Sequence, residues 1–267
     1  MRRFVLRPSA LLTLAAAVAL TAVMVSWRPA AAADLGPLDQ PVSANLLKQL
    51  RQISHKGLTQ KPDYKHNPLI AINDQQPPPT NAPLVLYVGA DFCPYCAVLR
   101  WPLALALMRF GRLSGLRYMR SSGSDVYPNT ATFSFYGTHL NSDKLQFEPV
   151  EVEDREENRL QKPTTIQRQL FAHFDTQPYT QSPGSIPFLY LGGQFMESGS
   201  PFSPAPLKGL DWKQVAQKLE QGDNPVWRNI MGEANLLTAA MCTLTQHKPD
   251  AVCSAPGIQA AAKALPH

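Results

Sequence analysis

The sequence is short of charge. Asp, Glu, Lys and Arg make up 17% of its 267 residues, against roughly a quarter in a typical soluble domain. With 44% hydrophobic residues the chain is far too apolar to be disordered. It also lacks a basic body. Of its 25 Lys and Arg, four (Arg2, Arg3, Arg7 and Arg28) fall within residues 1–33, where there is no Asp or Glu. That leaves 21 basic against 20 acidic side chains over residues 34–267. The formal charge of +5 therefore supplies no basic stripe, and a nucleic-acid binder is excluded. No HExxH, GxSxG, Walker loop or GxGxxG occurs, and the six histidines (55, 66, 139, 173, 247, 267) are scattered. These absences remove the common hydrolase, nucleotide and histidine-metal readings. No internal repeat is present.

What is there begins with an address. Arg2, Arg3 and Arg7 precede a charge-free stretch from Pro8 to Trp27, and small residues Ala30 to Ala33 follow just before Asp34. Residues 1–33 are expected to be a cleaved signal peptide or an N-terminal membrane anchor. Three arginines before the apolar stretch and one after it place the remainder outside the cytoplasm in both cases. The expected location is extracytoplasmic: periplasmic, cell-surface or secreted. In that compartment the four cysteines are expected as disulfides, or as one structural pair and one working redox pair.

Twenty-five prolines, about twice the average share, favour a fold with proline-punctuated loops over a helical bundle. Residues 34–83 hold an N-terminal helix and a Pro-rich connector. Ser43 is its expected cap, Leu46, Leu47, Leu50 and Ile53 its apolar stripe, and Gly57 its end. Leu69–Ile72 reads as a short strand, and Gln75–Pro83 is the connector. Leu84–Gly89 is a continuous apolar run, expected of a strand buried on both faces. Cys93-Pro94-Tyr95-Cys96 follows, then a helix over Ala97–Phe110 with a kink expected near Leu99 to Pro102. Leu116–Ser121 is expected as a second strand, parallel to the first.

Residues 122–162 read as an insertion with one or two extra strands. They include the aromatic run Phe133–Tyr136, the extended run Leu145–Val152 and the charged Asp154–Glu157, read as a solvated loop. Thr164–Phe174 is expected to be a helix with Ile166, Leu170, Phe171 and Phe174 on one face. Two apolar runs joined by Gly192-Gly193 predict a hairpin, and Asp211 caps a helix over Trp212–Gln221. A final helix runs from about Pro225 to Thr245. Strand, CxxC, helix, strand, insertion, helix, hairpin and helix make an α/β chain of thioredoxin-like order. Its core spans residues 84–222, with the C-terminal helix and second cysteine pair in 223–267.

The CPYC motif carries the chemistry. A CxxC between strand and helix sets the first sulfur at a helix N-terminus, where unpaired N–H groups and the dipole favour thiolate. Cys93 is the expected exposed nucleophile and Cys96 the buried resolving thiol, while Pro94 suits an early helical position. A purely structural disulfide, or half of a four-thiolate zinc site, are the alternatives. Ile186-Pro187 opens an apolar strand downstream. Jointly with CPYC it resembles the cis proline that faces the redox motif in thioredoxin-like proteins, which implies that Ile186, Pro94 and Tyr95 contact an incoming peptide; an ordinary trans proline at a strand start is the alternative. Cys242 and Cys253 enclose ten residues, and a structural disulfide closing that loop is the leading expectation. A relay exchanging with Cys93–Cys96 is the sharper alternative.

CPYC is a glutaredoxin-type motif, but three separated blocks resemble a more specific family. YVGADFCPYCAVLRWPLALALMRFG (87–111), IPFLYLGGQF (186–195) and EANLLTAAMCTLTQHKPDAVC (233–253) look like the thioredoxin-like domain-of-unknown-function family 929. The resemblance covers roughly residues 80–255. It implies a thioredoxin-like fold, an exported or membrane-anchored protein, and cysteine pairs Cys93/Cys96 and Cys242/Cys253. It implies no substrate. Thioredoxins themselves carry a buried acid six residues before the first cysteine; Tyr87 stands there. The expected function is an extracytoplasmic thiol–disulfide oxidoreductase acting on protein thiols, with an unidentified recycling partner and no cofactor or resident metal. Its rivals are a non-catalytic binding module with two structural disulfides and a Cu(I)- or Zn(II)-thiolate carrier.

Overall fold

A computed structural model describes residues 35–64, 67–74 and 82–266. The signal or anchor segment and most of the Pro-rich connector lie outside the described residues. Helix α1 (Ala44–Gly57) starts where the Ser43 hydroxyl accepts the Leu46 N–H, and it buries Leu46, Leu50 and Ile53. Strand β1 (Ile70–Ala71) is short, and all six residues of β2 (Leu84–Gly89) are buried. Helix α2 (Pro94–Leu107) runs through Pro102 without a break. Four short strands follow: β3 (Arg112–Ser114), β4 (Arg117–Arg120), β5 (Ala131–Ser134) and β6 (His139–Asn141). Then come β7 (Gln146–Glu151), α3 (Thr165–Phe174), β8 (Phe188–Leu191) and β9 (Phe195–Ser198). The chain ends in α4 (Trp212–Gln221), α5 (Pro225–Leu244), α6 (Asp250–Cys253) and α7 (Pro256–Ala262).

The result is a mixed α/β arrangement, with seven α-helices among the described residues. Its five-stranded sheet has the order β1-β9-β8-β2-β7, in which only β2 and β7 run parallel. Alternation along β2 divides the core. Val85 and Tyr87 join the large apolar cluster that includes α1, α2, α4 and α5, whereas Leu84, Leu86 and Val88 join the smaller one beneath α3. Gly192 and Gly193 both take positive φ (51° and 77°), the conformation a tight β8–β9 turn requires. Leu35–His267 forms one compact unit, and no helix among the described residues is long and apolar enough to cross a membrane.

Several expectations are corrected. Residues 117–120 do not pair with β2; they run antiparallel to β5 in a separate ribbon. Arg117 and Arg120 need polar partners, which they find in Asp39 and the Leu35 carbonyl, and a strand buried beside β2 has none to offer. The parallel neighbour is β7, from within the stretch read as an insertion, so the extra material is the pair of ribbons β3–β6 and β4–β5. Helix α2 starts at Pro94 rather than Ala97, because Cys93 caps it and Pro94 needs no N–H partner there. Ile166 is exposed rather than packed; Leu170, Phe171 and Phe174, further along α3, supply the helix's contact with the smaller core cluster. Two short helices, α6 and α7, follow α5, the helix expected to be the final one. In the aromatic run, Phe133 and Phe135 are core and Tyr136 is exposed.

Candidate functional site

The CPYC motif sits where β2 hands over to α2. Cys93 is the helix N-cap: its sulfur accepts the Cys96 backbone N–H at 3.2 Å. The Cys96 thiol hydrogen holds the Cys93 thiol below its ordinary value, helped by the Cys96 and Tyr95 N–H groups and the Arg100 charge and opposed by burial. Cys96 is the reverse case. Burial, then its bond to Cys93, pushes its thiol well up. One sulfur is thus prepared as thiolate and the other retained as thiol. The Ile186–Pro187 peptide bond is cis, and the Ile186 carbonyl lies 3.9 Å from Cys93 Sγ. Cys93, Cys96, Pro94, Tyr95, Ile186 and Pro187 are therefore brought together.

Cys93 is not openly exposed as expected; only 5% of its surface is accessible. The Ile186 carbonyl lies over its sulfur, and a strap is fastened to the motif. In that strap Ser122 N–H donates to the Phe92 carbonyl at 2.8 Å, and Tyr127 packs edge-on against Tyr95 at 6.2 Å. Tyr95 itself remains 40% exposed.

Beneath the motif lies a charge cluster that the sequence reading missed. Arg100 is fully buried and donates through Nε and Nη2 to the two Glu151 oxygens, at 2.9 and 2.7 Å. Its Nη2 also reaches the Ala90 carbonyl at 2.6 Å and stands 3.5 Å from Asp91 Oδ1. Asp91 Oδ2 accepts the Ser134 hydroxyl at 3.0 Å, whereas Oδ1 has no hydrogen-bond partner. Burial, then the Glu151 charge, pushes the Asp91 carboxyl up to about 7. Tyr87 is fully buried, with the Arg100 guanidinium 5.8 Å from its ring centre. One signal pointed here: Arg100 is the only charge in the helix PYCAVLRWPLALAL, and it stands four residues after Cys96 on the same face. A lone charge on an otherwise apolar helix demands a buried counter-charge.

The second cysteine pair is a disulfide, Cys242–Cys253. It belongs to the far end of the sheet, where Leu244 packs against Gly192, while Cys93 lies at the Ile186 end. The structure does not bring the two pairs together, and the disulfide removes two of the four thiolates a zinc site would need. Among the described residues no group of three or more His, Cys, Asp or Glu side chains could hold a metal ion. The four described histidines are all exposed.

No curated protein and no solved structure matches the chain. A family match does exist, and it spans the motif and the charge cluster but ends before Ile186-Pro187 and the second cysteine pair. Residues 68–178 match the family described as Domain of unknown function (DUF929), the family that the three sequence blocks resemble.

Proposed function

We propose that the protein is an extracytoplasmic thiol–disulfide oxidoreductase with a thioredoxin-like core. The observation that carries this reading is the asymmetry of the two thiols. Cys93 caps a helix and is held toward thiolate, while Cys96, one turn on and fully buried, is held toward thiol. In this reading Cys93 attacks a disulfide of a partner protein, Cys96 resolves the mixed disulfide, and Ile186 meets the partner chain. A thioredoxin-like core is supported by the order β7-β2-β8-β9, with a helix between β2 and its parallel neighbour and an antiparallel hairpin beyond. An oxidising compartment is supported by the Cys242–Cys253 disulfide and by the charge pattern of residues 1–33.

The deciding experiment is the reduction potential of the Cys93–Cys96 pair in the full chain, by glutathione titration. A value of about −230 to −180 mV marks an exchangeable catalytic pair. A value below about −300 mV marks a structural bond and moves the binding-module reading to first place.

A further inference from the structure

We propose that the strap between β4 and β5 is a selectivity rim over Cys93, latched by Tyr127, which admits an extended cysteine-bearing segment of a partner protein and turns away disulfides set in folded surfaces. The proposal rests on the oxidoreductase reading above and names its substrate class.

Only 5% of the Cys93 surface is accessible. A partner sulfur must reach Cys93 Sγ itself, so whatever covers that atom decides what reacts. The cover is a circuit of contacts that begins and ends at the motif. Ser122 N–H donates to the Phe92 carbonyl at 2.8 Å, which ties the strap to the residue before Cys93. Further along, the Tyr127 and Ser203 hydroxyls share a hydrogen bond of 3.2 Å. Ser203 belongs to the segment after β9, whose Gly199 N–H donates to the Pro187 carbonyl at 2.8 Å. From Pro187 the circuit returns through Ile186, whose carbonyl stands 3.9 Å from Cys93 Sγ. The Tyr127 ring also meets the Tyr95 ring edge-on, so the latch steadies the motif's own exposed side chain.

The strap is held in shape from within. Ser121 N–H donates to the Thr130 carbonyl and Asn129 N–H to the Ser122 carbonyl, both at 3.0 Å. The Tyr127 carbonyl accepts two hydroxyls from buried residues, Ser121 at 3.1 Å and Thr130 at 3.0 Å. Arg120 donates to the Asn129 carbonyl and Arg155 to Asn129 Oδ1, each at 2.8 Å. The Tyr127 backbone is thereby fixed, whereas its side chain reaches Ser203 through one hydrogen bond between exposed groups. Such a bond exchanges with water at small net cost, so the latch is the part that opens.

The chemistry of the rim describes the partner. Tyr95 and Val126, the residue next to Tyr127, are large apolar side chains left 40% and 71% exposed. They offer apolar surface to a side chain flanking the partner's cysteine. Main-chain pairing at Ile186 requires an extended partner backbone. A folded surface presents a broad front that meets the rim before its disulfide meets Cys93. The admitted step is the first exchange: Cys93 thiolate bonds to one partner sulfur, the partner's S–S bond breaks, and its electron pair leaves on the other sulfur as thiolate.

The test uses the full chain with Cys93 and Cys96 reduced and the Cys242–Cys253 disulfide intact. Its two substrates are a short unstructured peptide and a folded domain with a single surface cysteine, each joined through that cysteine to thionitrobenzoate. Release of thionitrobenzoate reports attack by Cys93, and each rate is divided by the rate of the same substrate with glutathione. The wild type is expected to favour the peptide by about tenfold or more, because the folded domain must wait for the latch to open. Tyr127→Phe and Ser203→Ala each break the latch and are expected to raise the folded-domain rate about fivefold, the worth of one hydrogen bond. Both remove the same bond, so the double variant is expected to match the single ones. Alkylation of Cys93 by iodoacetamide, which is small enough to pass the rim, is expected to keep its pH midpoint in every variant, separating access from thiol acidity. If one variant does not fold, the other decides. Equal normalised rates for the two substrates in the wild type, or a preference that neither variant changes, overturns the rim and leaves the oxidoreductase reading standing. A wild type whose Cys93 is alkylated but which releases thionitrobenzoate from neither substrate overturns that reading and this proposal with it.

Discussion

Glu197 on β9 and Glu233 on α5 offer the strongest test of the energetics. Both are buried, at 1% and 4% exposure, and their carboxyls lie against each other. Beyond the contact between the two carboxyls, neither Glu197 oxygen nor Glu233 Oε1 has a hydrogen-bond partner among the described residues, and no cationic side chain among them shifts either carboxyl. Burial pushes Glu233 up to about 8, and burial together with the Glu233 charge pushes Glu197 well up. In the unfolded chain both would ionise near the ordinary value of about 4.3. The folded state therefore binds protons that the unfolded state has released, and stability falls as pH rises between those values. At about 1.4 kcal/mol per pH unit, Glu233 alone takes away about 5 kcal/mol by pH 8. Glu233→Gln cannot ionise and escapes this loss. Urea denaturation of both proteins from about pH 5 to pH 8 should show the variant gaining about 3.5–4 kcal/mol on the wild type across the range. The contribution of Asp91 is common to both proteins and cancels in the difference. A difference that stays flat to within about 1 kcal/mol would refute the buried-acid reasoning.

Other outcomes follow from the same structure. Cys93→Ser is expected to abolish insulin reduction while Cys242→Ser retains it, and equal activity in the Cys93 variant and the wild type would sink the mechanism. Cys242→Ser is expected instead to cost about 3 kcal/mol in urea denaturation, from reopening the loop that the disulfide closes over a separation of 11 residues. Arg100→Met leaves Asp91 and Glu151 buried without a counter-charge, and the expected loss is about 3–5 kcal/mol at neutral pH. That loss should shrink toward about pH 4, where both carboxyls can take protons. The same variant should raise the thiol pKa of Cys93, read from the pH profile of its alkylation, because Arg100 favours the thiolate.

Where a signal was local, the sequence was sufficient. Ser43 and Asp211 cap the helices expected of them, Gly192-Gly193 turns its hairpin, and the apolar run Leu84–Gly89 is a buried strand. CPYC at a strand–helix junction likewise announces a capped thiol, because the cap geometry involves only Cys93 and the next turn. Strand pairing was another matter. Residues 117–120 and 146–151 are both plausible strands, and only packing decided which one lies beside β2. Gln146–Glu151 brings Phe147 and Val150 to the core and hands Glu151 to Arg100, whereas the arginines of 117–120 need the surface.

Tertiary structure alone also decided the state of the buried charges. Asp91, Arg100 and Glu151 come from a loop, a helix and a strand, and Glu197 and Glu233 from a strand and a helix. Their protonation depends on distances and on exclusion of water, which no spacing in the chain encodes. The sequence named the two sulfurs; the fold set which protons surround them.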